Sequence, residues 1–125
     1  MNSAAQSTRG PIVWVIEQMP HDYSPARVYA GTIKQIVAGK LTPNAPDKGW
    51  NDKAILQLRC ALNNYIPGLD FVVPTGSPVR ILTMGLLLRE KGLVHNFLGW
   101  DNRTGRYLLY TIDMRQNPNG QSIEI

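Results

Sequence analysis

Between Asp70 and Arg89 the order of residue types leaves the backbone little freedom. An aromatic and β-branched run is followed by a glycine, a serine–proline pair and an apolar segment of helical length. Phe71, Val72 and Val73 suit a pleated, buried surface. Gly76 permits the positive φ that a sharp turn requires. Ser77 offers its hydroxyl to an orphan amide of a first helical turn, and Pro78 lacks an N–H that would go unused there. The pattern predicts a strand over 71–74, a turn at 75–76 and a helix from 78 to about 91. Gly92 is the expected left-handed stop, with Arg89 and Lys91 set against the negative end of the dipole.

That helix is apolar on nearly every side. Val79, Ile81, Leu82, Met84, Leu86, Leu87 and Leu88 leave only Arg80, Thr83 and Glu90 as a narrow polar stripe. A helix apolar all round is ordinarily buried. At roughly 14 residues it is too short for a bilayer, which takes about 20. The expectation is a central core helix packed on a sheet, its far side covered by a second helix or another subunit.

The run from Ile12 to Ile16 is unbroken and rich in β-branched residues, as in a parallel strand buried on both faces. A loop dense in Pro, Asp and Ser follows. From Ser24 to Gly39 the residues permit either one helix or a helical turn over 24–29 and a strand over 31–37. Gly31, Thr32 and the Ile/Val content favour turn-then-strand. After a loop to Trp50, a second helix opens at Asn51 and runs to about Tyr65, with Ile55, Leu58, Leu62 and Tyr65 as its apolar stripe and Pro67-Gly68 ending it. The stretch from Leu93 to Trp100 reads as a strand, and 101–105 as a hairpin loop with Gly105 left-handed. Tyr107 to Asp113 returns antiparallel. Ser122 to Ile125 can form a small added strand or an arm to a partner.

Strands separated by helices imply parallel crossovers. The expected fold is therefore α/β: one small domain, a mixed and mostly parallel sheet of about five strands, two main helices and a C-terminal antiparallel hairpin. Its length of 125 residues, with 43% hydrophobic and 18% charged, suits one domain with a real core. Residues 1–10 read as a mobile arm, 11–114 as the domain and 115–125 as a loose tail. No stretch is long enough for a membrane span, and the N-terminus lacks a signal-peptide layout. The single cysteine, Cys60, rules out an internal disulfide and an all-cysteine zinc site, and its neighbours predict that it is a buried small hydrophobe. A cytoplasmic setting follows.

Three short motifs carry a resemblance. They are Asp22-Tyr-Ser-Pro-Ala26, then Gly76-Ser-Pro78 opening an apolar helix, then Gly99-Trp-Asp-Asn-Arg-Thr-Gly-Arg-Tyr107. Together, over about Ile12 to Asp113, the chain resembles a group of small α/β proteins common in bacteriophage genomes. In those proteins Ser77 is often an aspartate and Asn102 usually an arginine. The resemblance implies a viral origin, hence the host cytoplasm, and a small α/β fold; it implies no activity.

In open α/β sheets ligands bind beyond the carboxyl ends of the parallel strands. That rule gathers His21, Asp22 and Ser24 after the first strand, Thr75, Gly76 and Ser77 after the third, and Asp101 with Arg103 after the fourth. Thr75, Gly76, Ser77, Asp22 and Asp101 are the candidate ligand-binding residues. The turn before the helix favours an anion, but Pro78 deletes a donor and no phosphate-loop motif is present. Asp22 reads as an anchor of the turn at Ser24, not a partner for His21 in catalysis. His95 reads as a satisfied core or edge histidine, not a metal ligand. No catalytic residue, metal site or cofactor is assigned.

For nucleic acid the candidates are Arg80, Arg103 and Arg106 on phosphates, with Trp100 or Tyr107 stacking on bases of a single strand. The net charge of +4 suits an anionic partner. A small non-enzymatic nucleic-acid-binding protein is the first expectation. A protein that docks on a host enzyme through an apolar patch is the second, and a nucleotide or phosphate binder at 75–77 the third. The apolar helix and three tryptophans also lead us to expect a homo-oligomer.

Overall fold

The strand β1 (Ile12–Val15) is buried at every position. Parallel strands flank it on both edges and core residues cover both faces, which is why its sequence lacks alternation. In a computed structural model, which describes residues 9–37, 39–115 and 120–124, β1 is the centre of a five-stranded sheet. Its order is β2 (Thr32–Gln35), β1, β3 (Phe71–Val73), β4 (Val94–Asp101), β5 (Arg106–Asp113). The first four strands are mutually parallel and the β4–β5 hairpin is antiparallel. The chain forms one small α/β domain.

The helices α1 (Asp52–Ala61) and α2 (Pro78–Lys91) cover one face, packing Leu58, Met84, Leu87 and Leu88 on Trp14, Ile16 and Val72. The 3-10 turn at Ser24–Val28 and the residues after it cover part of the other face, where Ala26, Ala30 and Tyr29 meet Val13, Val15, Phe71 and Tyr107. From β1 the chain steps one way to β2, then returns past β1 to β3 and on to β4. Right-handed crossovers put connections of opposite direction on opposite faces, so the switch point lies between β1 and β3.

Turn-then-strand holds between Ser24 and Val37, and Ser77 caps α2 by accepting from the Arg80 amide at 3.3 Å. Several expectations are corrected. The helix α1 stops at Ala61, not Tyr65: the Leu62 amide bonds back to Leu58 and Arg59 in a tightening turn, which frees Tyr65 to enter the core. The start of α1 is as expected: Asn51 holds the N-cap position, with its side-chain amide bonded to the backbone of Thr42 and not to the helix. Cys60 is exposed, because it lies on the outer side of α1. Gly92 is not left-handed, with φ at 169°. It is needed because a methyl there would meet Pro67 Cγ at 2.9 Å.

The larger correction concerns α2. Its outer ridge is bare: Val79, Leu82 and Leu86 are 64%, 70% and 73% exposed. The helix has one apolar face in the core and a second one facing out. Residues 120–124 form no strand; residues 1–8, 116–119 and 125 lie outside those described.

Two buried polar groups organise the core. Asp70, fully buried just before β3, accepts from Arg9, the Ile12 amide, Trp14 Nε1 and the Ile66 amide. Burial pushes its carboxyl up, but these donors outweigh burial and hold it below the usual carboxylate range. His95 Nε2 lies 2.9 Å from the Gly92 carbonyl, which can only accept. In the neutral ring Nδ1 is then left to accept from the Tyr65 hydroxyl, 2.6 Å away. His95 is the core histidine the sequence suggests.

Candidate functional site

The loops after β1, β3 and β4 share one edge of the sheet, as parallel strands require. At the switch point itself the edge is shut. Thr75 Oγ1 donates to the Glu17 carbonyl and accepts from the Glu17 amide at 3.3 Å. Gly76 sits at φ 113°, and a methyl there would lie 2.3 Å from Glu17 Oε1. The turn 75–77 therefore has its hydroxyls engaged and a carboxylate beside it, a poor setting for an anion.

Two cavities open beside this plug, on the face away from the helices. One, of about 240 Å³, lies among Met19, His21, Tyr23, Thr75, Trp100 and Tyr107. The other, of about 380 Å³, shares His21 and Tyr23 as a wall and extends past Gln18 and Arg27 to Gln35. The wall is built of rings edge to face. His21 lies 4.7 Å from Trp100 and 5.1 Å from Tyr23, and Trp100 lies 5.0 Å from Tyr107. His21 Nε2 is also 3.0 Å from the Tyr107 hydroxyl. Such edge contacts use the positive rim of one ring against the negative face of the next, which fixes their orientation.

Tyr107 is buried and forms the floor. Burial above all, with Tyr23 and Asp22 nearby, pushes its phenol up to about 12, so it stays protonated at neutral pH. Trp100 is 38% exposed, with its indole N–H turned to Asn102 at 2.7 Å. It is the ring with a free surface at the cavity mouth.

The acidic candidates stabilise their own loops. Asp22 accepts from the Ser24 amide at 2.9 Å and its hydroxyl at 3.0 Å, and these bonds lower its pKa. Asp101 accepts from the Arg103 amide at 3.1 Å and the Thr104 hydroxyl at 2.7 Å, closing the hairpin on a left-handed Gly105. The three arginines part company. Arg103 stands in solvent at the hairpin tip, its side chain 92% exposed and 3.7 Å from Asp101, and Arg106 is exposed beside it. Arg80 instead reaches inward to the carbonyls of Gly39 and Ile36 at 3.0 and 3.3 Å. It ties α2 to the loop after β2.

The structure thus joins Trp100, Tyr107 and Thr75 around one cavity, with Arg103 and Arg106 on the adjoining hairpin. Asp22 lines the neighbouring cavity, Gly76 is part of the plug against Glu17, and Ser77 lines neither cavity. Sequence reasoning missed Met19 and Tyr23 and gave His21 no ligand role. The signal was there in part: Met19, His21 and Tyr23 all lie in the loop that follows a strand buried in a parallel sheet. No cluster of metal-ligating side chains occurs among the described residues, and no helix there is long and apolar enough to cross a membrane. No curated protein and no solved structure matches the chain. Residues 12–114, from the start of β1 to just past β5, match the model of the Phage Pam3 gp32-like protein family, and the chain belongs to that bacteriophage family.

Proposed function

We propose that this phage protein acts by binding, without catalysis, in the host cytoplasm, and that its ligand is single-stranded nucleic acid. One base enters the cavity beside Trp100, while Arg103 and Arg106 hold the flanking phosphates. The observation that carries this reading is the aromatic cavity at the carboxyl edge, with Trp100 at its mouth and two exposed arginines on the same hairpin. A base is a planar ring that an aromatic wall accepts regardless of sequence. Binding rather than catalysis is supported by the placement of Asp22, which caps Ser24 instead of orienting His21. A phosphate at 75–77 is disfavoured by Glu17.

The test is fluorescence anisotropy of a labelled oligothymidine at several salt concentrations. Affinity should fall steeply with salt, and Arg103→Ala or Arg106→Ala should each reduce the log–log slope by about 0.7. Trp100→Ala should cost about 1–3 kcal/mol, the worth of one stacked base. No binding, or salt-insensitive binding, removes the proposal.

A second reading is favoured by the bare ridge Val79, Leu82 and Leu86. Contiguous exposed apolar surface marks protein contacts, and this helix face would seat a host protein. Nuclease-resistant, stoichiometric capture of one host protein, lost in Leu82→Lys, supports it over the first.

A further inference from the structure

The outer edge of β5 has no strand beside it among the described residues. Which of its backbone groups face outward follows from one bond, the Met114 amide to the Leu93 carbonyl at 2.8 Å, together with the β4–β5 register. Antiparallel bonding alternates, so Leu108, Tyr110 and Ile112 bond inward to β4, while Tyr107, Leu109, Thr111 and Asp113 present their amides and carbonyls outward. The Tyr107 carbonyl already accepts from the Tyr29 hydroxyl at 2.8 Å. Leu109, Thr111 and Asp113 remain.

Natural edge strands are protected by proline, lysine, an inward charge or a bulge. From Leu108 to Ile112 this strand has no proline and no charge, and its register runs without a bulge from Val94↔Asp113 to Asp101↔Arg106. Tyr110, Ile112 and Met114 are 53%, 44% and 54% exposed.

We propose that the edge is covered by a second copy of this chain, paired antiparallel about a twofold axis at Thr111. The choice of occupant and register follows from the strand itself. In a twofold antiparallel pair, outward-facing residues must meet outward-facing residues, so the sum of paired positions is even. The register centred on Thr111 uses the three remaining positions and no other: Leu109 opposite Asp113 of the other copy, and Thr111 opposite itself. On the helix side it sets Tyr110 against Ile112 and the half-buried Leu108 against Met114, covering the exposed Tyr110, Ile112 and Met114. Asp113 enters this pairing with its charge already matched by Arg115 at 2.6 Å. The Thr111 hydroxyl, bonded inward to Asn96 at 2.7 Å, leaves the edge clear. The result is a two-fold dimer with one continuous ten-stranded sheet, independent of the ligand reading above.

Sedimentation velocity and cross-linking test it. The wild-type chain should show a concentration-dependent dimer. Thr111→Pro, which deletes an amide the monomer does not use, should weaken dimerisation by at least about tenfold while leaving the circular dichroism spectrum intact. In a Cys60→Ser background, Thr111→Cys should form a disulfide-linked dimer on oxidation, since hydrogen-bonded antiparallel neighbours lie about 5.5 Å apart between Cα atoms. Leu109→Cys in the same background should not. A wild-type monomer at the highest soluble concentration, an unweakened Thr111→Pro dimer, or equal cross-linking through Leu109→Cys overturns the proposal. If Thr111→Pro does not fold, the cysteine pair decides it alone.

Discussion

Arg9 grips Asp70 through two guanidinium nitrogens, at 2.9 and 2.7 Å from its two carboxylate oxygens. The pair joins the residues entering β1 to those entering β3, and the same carboxylate takes the Trp14 indole N–H at 2.9 Å. Asp70 is fully buried, so its charge depends on these donors for the solvation water no longer supplies. Asp70→Asn removes the charge and turns one acceptor into a donor facing donors. It should cost about 3 kcal/mol or more, read from urea unfolding at neutral pH; a loss within error of zero refutes the anchor.

The same carboxylate sets an acid limit. Its folded pKa lies below the ordinary value, so its contribution is complete above the unfolded pKa near 4 and is lost as pH falls through the folded one. The wild-type chain should lose stability below about pH 4 more steeply than Asp70→Asn. Parallel stability–pH curves for the two proteins would contradict this.

Gly76→Ala meets two separate obstacles: a φ of 113° and the Glu17 side chain. The backbone part costs about 1–3 kcal/mol. Adding Glu17→Ala should recover the contact part and leave the backbone part. Full recovery in the double variant would show that the turn has no conformational need for glycine.

On α2, Met84 is fully buried and Leu86 is 73% exposed, two residues apart. Met84→Ala should cost about 2–5 kcal/mol, and Leu86→Ala no more than about 0.5. Thermal melts of the two variants measure this, and a large loss from Leu86→Ala would mean that the ridge is covered even in the isolated protein.

Tyr65→Phe deletes the donor that satisfies His95 Nδ1 in a buried site. The expected cost is about 1–3 kcal/mol with no change of fold. Unchanged stability would mean that water replaces the hydroxyl there.

Much of the fold was legible because local rules and tertiary demands agreed. The unbroken run at Ile12–Ile16 announced a parallel strand buried on both faces, and Gly76-Ser77-Pro78 announced a turn into a capped helix. Where local rules were silent or at odds with packing, the reading failed. Tyr65 continues an apolar stripe in sequence, yet the chain turns at Leu62 so that its hydroxyl can reach His95. Arg80 looks like a surface cation, yet it reaches inward to the carbonyls of Gly39 and Ile36. The edge loops were gathered correctly by topology, but the plug of Thr75 and Gly76 on Glu17 moved the opening toward His21, Tyr23 and Trp100.

The residue order alone determined the class of fold, the parallel strands and the hairpin, because periodicity, turn chemistry and capping act over a few neighbouring residues. The tertiary structure decided which apolar surface is buried and which is bare, and which polar groups meet. Those outcomes depend on distant segments competing for the same space: Arg9 for Asp70, Pro67 for the room beside Gly92, and Glu17 for the crevice that a ligand would otherwise fill.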